Sequence, residues 1–247
     1  MKRLKVIACD VLNREISYLA SLSDCFVDVT FLDQGLHCTP DLLRQQLQEQ
    51  VALAQRGFSY GSFETAVDYD FIILGYGLCS NGVVGVVSEK VPLVVPRGHD
   101  CITLLLGSKE RYREYFDSHP GTYWYSKGWI ERSIQPGEER CRIQYDAYVR
   151  KYGEDNADYL METEQGWMNE YKNATFLSWD SLGNLQRDRD YTKACAEYLG
   201  WEYDELNGSP TLLEDILNGR FDERQVAIVP PGRKITASYD DGIVAFE

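Results

Sequence analysis

Two runs constrain this chain most: "FIILGYGL" from Phe71 to Leu78 and "PLVVPRG" from Pro92 to Gly98 are apolar at successive positions, not at alternate ones. A strand with one wet face alternates, so unbroken apolarity means burial on both faces, as in a parallel sheet covered by helices. The neighbouring segments supply those helices. "KRLKVIACDVL" has a short β-branched core, "NREISYLASL" repeats Ile16, Leu19, Ala20 and Leu22 at helical spacing, and "FVDVTFLD" alternates as a second strand. "TPDLLRQQLQEQVALAQ" opens a second helix, with Thr39 as N-cap and Pro40 at the first helical position. A further helix is expected over "SKERYREYFDSH", capped by Ser108. The order β-α-β-α-β-(α)-β predicts a doubly wound, mostly parallel α/β sheet over residues 1–120.

From "PGTYWYSKGWIERSIQPG" to Tyr171 the composition turns to Tyr, Trp, Glu and Asp, which predicts an aromatic loop and acidic helices inserted over 121–172. A second α/β portion is expected over 173–247. There "NATFLSWDSLG" supplies a strand, "RDYTKACAEYLGW" a helix ending at Gly200, "PTLLEDILNGRF" a helix with Gly219 near its end, and "QVAIVPPGRKI" a last strand.

A net charge of −14 sets the chain against phosphate backbones and anionic membrane surfaces, so neither nucleic acid nor membrane is expected as a partner. No apolar run is long enough to span a bilayer, and "MKRLKVIACD" lacks the apolar stretch of a signal peptide. The seven cysteines are odd in number and scattered, which argues for reduced thiols and a cytoplasmic setting.

Three of those cysteines follow strands. Cys9 comes after "KVIA", Cys79 after "FIILGYGL", and Cys101 after "PLVVPRG" with His99 and Asp100 beside it. Ligands of open α/β sheets sit beyond the carboxyl ends of the strands. Neighbouring strands therefore bring Cys9, Cys79, His99 and Cys101 towards one point, where three thiolates and an imidazole suit tetrahedral zinc and three thiolates suit an iron–sulfur cluster. Free cysteines also fill buried strand ends as small apolar residues. His37 in "QGLHCTP" lies on the same edge as a candidate ligand or proton donor, and Gly75, Gly77, Gly82 and Gly85 allow positive φ or close approach to a ligand. The spacing is not GxGxxG, so a dinucleotide is disfavoured.

The strings "IACDVL", "GLHCTPDLL", "ILGYGLCSNGVVG", "VVPRGHDCITLLLGS", "PGTYWYSKGWIE" and "LLEDILNGRFDERQVAIVPPG" resemble a prokaryotic family, the domain of unknown function numbered sixteen thirty-eight, over nearly the whole chain. The resemblance carries the family's motif onto Cys9, His37, Gly75, Tyr76, Gly77, Cys79, Arg97, His99, Asp100 and Cys101; Cys38 departs from the pattern, standing where the family has Asn. It implies a setting of anaerobes and methanogens with corrinoid-dependent methyl metabolism.

On these grounds the leading expectation is a zinc enzyme or enzyme accessory acting on a small molecule, with thiol or corrinoid-linked methyl transfer as the chemistry. Cys9, Cys79, His99 and Cys101 hold the metal, Gly75, Tyr76 and Gly77 line the cofactor, Asp100 orients His99, and Arg97 forks onto a substrate carboxylate. His37 joins them as a catalytic candidate. One alternative is a metal-free racemase or isomerase working through Cys9 and Cys79. The other is a module that docks on a corrinoid protein through Tyr123, Trp124, Tyr125 and Trp129.

Overall fold

The computed structural model describes residues 1–59 and 66–247. β1 (Arg3–Cys9) is buried at six of its seven positions. It leads through a 3-10 turn at Asp10–Leu12 into α1 (Asn13–Leu22), whose Ile16 and Leu19 face the core. β2 (Phe26–Leu32) and α2 (Pro40–Ala54) follow, the helix burying Leu43, Leu47 and Val51 at the expected spacing. Pro40 does start α2, but the Thr39 side chain makes no capping bond. β3 (Phe71–Gly75) and β4 (Leu93–Pro96) are the two unbroken apolar runs, buried on both faces.

A five-residue α3 (Ile102–Leu106) is wholly buried and ends at Gly107, whose φ is +86°. α4 (Lys109–Ser118) is capped at Ser108, whose hydroxyl accepts from the Arg111 amide at 3.1 Å. Then come β5 (Thr122–Ser126), α5 (Lys127–Arg132), α6 (Glu138–Tyr152), α7 (Glu154–Glu164), β6 (Asn173–Ser178), α8 (Gln186–Leu199), β7 (Glu202–Asn207) and α9 (Thr211–Leu217). β8 (Val226–Val229) and a hairpin of β9 (Ile235–Ala237) with β10 (Val244–Phe246) complete the chain.

The chain divides into two units, Met1–Tyr112 with Ser209–Glu247, and Arg113–Gly208. The breaks expected at 120 and 172 differ from these because strand pairing, not composition, sets the units. β8 returns to the first sheet and pairs antiparallel with β4, Leu93 opposite Val229. The "aromatic loop" is β5, a parallel neighbour of β6. Tyr125 on it is wholly buried, and Tyr123 packs against the same core, with Met168, Phe176 and Trp201. Aromatic residues suit a pleated, buried surface, so a Tyr-Trp-Tyr run is as consistent with strand as with loop.

Both sheets are mostly parallel and the fold class is α/β. The first has the order β2-β1-β3-β4-β8, and the second β5-β6-β7. In the first sheet the chain steps from β1 outward to β2 and then returns to β1's other side as β3. The carboxyl ends of β1 and β3 therefore border the crevice where the winding reverses. Among the described residues no helix is long and apolar enough to cross a membrane.

The β1–β3 contact is too close for side chains at its end. A Cβ on Gly75 comes within 2.5 Å of the Ala8 Cβ, whereas one on Gly166 meets nothing within 4 Å. Gly75→Ala is expected to cost about 1–3 kcal/mol, the range for overpacking. Gly166→Ala should stay within about 0.5 kcal/mol of the parent in urea unfolding, as surface changes do.

Candidate functional site

β1, β3 and β4 deliver their following loops to one edge of the first sheet. After β3 the chain does not turn away at once. The Leu78 amide donates to the Gly98 carbonyl at 2.8 Å and the Cys79 amide to the His99 carbonyl at 3.0 Å, so the loops after β3 and β4 stay zipped together. Gly77 permits this: a Cβ there lies 2.6 Å from the Asp100 amide nitrogen and 2.7 Å from its carbonyl oxygen. Gly75 and Gly77 admit β1 and the loop after β4, and Gly82 and Gly85 face Leu43 and Arg44 of α2.

Beyond the zipper, Cys79, Ser80 and Asn81 have φ of +46°, +56° and +66°. Three consecutive non-glycine residues in this region cost about 1–2 kcal/mol each, less for Asn. The turn is held from outside. The Gly82 amide donates to the Cys79 carbonyl at 3.0 Å, and Arg44 of α2 donates to the carbonyls of Val84 and Asn81. Gly82 packs against Leu43, where a Cβ comes within 2.5 Å of the side chain. Such strain concentrates where a structure fixes a side chain for use. Here the strained turn begins at Cys79.

The feature of this edge that most calls for explanation is Tyr76. It is 2% exposed, and its hydroxyl has no hydrogen-bond partner among the described residues. Burial drives its ionisation far upward, and the sulfurs of Cys9, Cys79 and Cys101 add to that, followed by Asp10. The sulfurs of Cys9, Cys79 and Cys101 are thus all within electrostatic reach of one phenol. A buried hydroxyl without a partner costs roughly 1–3 kcal/mol.

Each sulfur has its own setting. Cys9 is 7% exposed, and burial raises its thiol to about 11, against lowering by main-chain N–H groups of Val11 and Asp10. The 3-10 turn into α1 therefore points two amides at that sulfur. Cys79 keeps part of its surface in solvent, yet its thiol is enclosed. Burial pushes it up, helped by the charges of Asp100 and Cys9, while the Gly77 amide opposes the shift. Cys101 is 4% exposed. At neutral pH the Cys9 and Cys79 thiols are therefore protonated.

Of the other expected residues, Asp100 acts on Cys79 through its charge, while the Arg97 and His37 side chains bond elsewhere. His99 is exposed and contributes its carbonyl to the zipper. Asp100 accepts from the Ile102 amide at 3.0 Å and the Tyr112 hydroxyl at 3.1 Å, so it binds the first residue of α3. Burial raises its carboxyl nonetheless, with those bonds and His99 opposing. Arg97 donates to the carbonyls of Glu223, Gly242 and Val244, tying the C-terminal segments to β4. His37 bonds within its own turn, Nδ1 to the Gln34 carbonyl at 2.5 Å. Among the described residues no group of three or more His, Cys, Asp and Glu side chains is arranged to hold a metal ion. A single tetrahedral ion needs sulfurs about 3.8 Å apart, from metal–sulfur bonds of about 2.3 Å.

Two measurements test this geometry. The folded chain holds the Cys9 proton to about pH 11, while the unfolded chain releases it near the ordinary 9.0. The corresponding stability is complete below pH 9 and is lost as pH rises to about 11, at up to about 1.4 kcal/mol per pH unit. Cys9→Ala should flatten that decline. At Ser80, replacement by Gly should leave the protein about 1 kcal/mol more stable than replacement by Ala, because only Gly takes positive φ freely.

The model of a family described as a protein of unknown function (DUF1638) matches residues 31–217. The match includes Tyr76, Cys79 and Cys101 and begins after Cys9. No curated protein and no solved structure matches the chain.

Proposed function

The chain belongs to the DUF1638 family, and from that premise we propose that the crevice beyond β1, β3 and β4 is a metal centre whose ligands are Cys9, Cys79 and Cys101. The observation that carries this reading is the arrangement of three enclosed thiols around the partnerless Tyr76 hydroxyl. With its pKa at about 11, the Cys9 thiol is ionised in roughly one molecule in ten thousand at pH 7. Proton transfer between Cys9 and Cys79 alone therefore lacks a base, which counts against the metal-free alternative. A cation supplies what is missing, since coordination deprotonates thiols outright.

His99 is left out of this ligand set because its side chain is in solvent. The all-sulfur set fits zinc once the side chains turn inward. The second reading is an iron–sulfur cluster, which spreads three thiolates more widely and keeps one iron for substrate. A sulfur-rich zinc centre leaves a bound thiolate nucleophilic, which is the chemistry that methyl transfer to a thiol requires. Tyr76 is positioned to donate its O–H to a substrate group beside the metal, and Asp100 braces the loop through α3.

Protein purified without oxygen is expected to carry zinc at about one equivalent and be colourless, or a cluster and be brown. Cys79→Ser and Cys101→Ser should lose metal, because a hydroxyl is a poor ligand for a thiolate-preferring ion. His99→Ala and Tyr76→Phe should keep it. Cys195→Ser, altering a core residue of the second unit, should lower the melting temperature with metal unchanged. Full metal in both Cys79→Ser and Cys101→Ser, or metal-free parent protein, overturns the reading.

A further inference from the structure

The second unit holds a cavity of about 550 Å³. It is lined from α5, from the loop after α5, from Glu139 of α6 and from the start of α8, with Lys127, Glu131, Arg132, Arg187 and Asp188 also in its walls. Lys127 follows directly on the last residue of β5. The cavity therefore meets a carboxyl end of the parallel β5-β6-β7 sheet, the edge at which α/β proteins take ligands, and its size suits a small metabolite.

Its walls carry both signs of charge. In the wall, Lys127 Nζ lies 3.2 Å from Asp188 Oδ2 and 3.6 Å from Glu131 Oε1. Asp188 is 6% exposed, its only side-chain partner is Lys127, and its second carboxylate oxygen accepts from no described residue. A nearly buried carboxylate with an unused oxygen on a cavity wall asks for a donor, and a positive one most of all.

Beside Asp188, in the same first turn of α8, stand donors for an anion. Arg187 is exposed and pairs with no described residue. The Asn184 side chain accepts from the Gln186 amide at 2.9 Å, while the next two amides, of Arg187 and Asp188, have no acceptor among the described residues. Those N–H groups, the positive end of a 14-residue helix and the guanidinium together favour an anion. Arg132 on the wall adds a second guanidinium.

We infer that this cavity binds a small zwitterion, with its ammonium on Asp188 and its carboxylate at Arg187 and the first amides of α8. This site is independent of the proposed metal centre. Calorimetric titration of the intact protein with glycine, β-alanine and 4-aminobutyrate, beside ethylamine and propionate as single-charge controls, tests it. One zwitterion is expected to bind with a dissociation constant below about 1 mM and at least about tenfold tighter than either control. Asp188→Asn and Arg187→Ala should each weaken it at least about tenfold, with metal content unchanged. Arg187 is exposed, so its variant stays informative if Asp188→Asn fails to fold. Equal binding of zwitterions and controls, no binding at all, or undiminished binding by Arg187→Ala overturns the assignment.

Discussion

Gly77 and Asp100 touch main chain to main chain, with a gap that any side chain on Gly77 would violate. That contact keeps the loop after β3 parallel to the loop after β4 beyond the end of the sheet, and the two cross-loop hydrogen bonds depend on it. Gly75 does the same between β3 and β1. These two close approaches are what bring Cys9, Cys79 and Cys101 around Tyr76. Without them, three strand ends would carry three unrelated cysteines.

The rest of the edge shows where stabilising energy has been given up. A partnerless buried phenol and three consecutive left-handed residues oppose folding, each by an amount on the order of 1 kcal/mol or more. They sit together at the winding reversal of the sheet, while the surrounding strands are uniformly buried. A core built only for stability has no use for this combination. A centre that takes up a cation and a substrate does, because both remove the costs on binding.

Periodicity made the first four strands and two helices legible, since burial on both faces or along one stripe leaves a local pattern. β7 left none. Its sequence, "EYDELN", is charged and half exposed, and its pairing with β6 makes it a strand. The antiparallel return of β8 was equally hidden, being a contact between residues more than a hundred positions apart. At the site, the rule about strand ends found the three cysteines. It could not say that His99 points into solvent or that Arg97 spends its donors on carbonyls, because adjacency in sequence does not give side-chain direction. Nor did Cys79 and Ser80 signal their left-handed conformation, which Arg44 and the neighbouring loop impose.

The account stands on sulfurs from different strands being close in the folded protein, whatever metal they hold. Phenylarsine oxide, which bridges two nearby thiols, tests that directly when added to the metal-stripped native protein and followed by peptide mapping. The account predicts one bound arsenical linking two of Cys9, Cys79 and Cys101. Bridges confined to other cysteines, or none of these three protected from later alkylation, would contradict it.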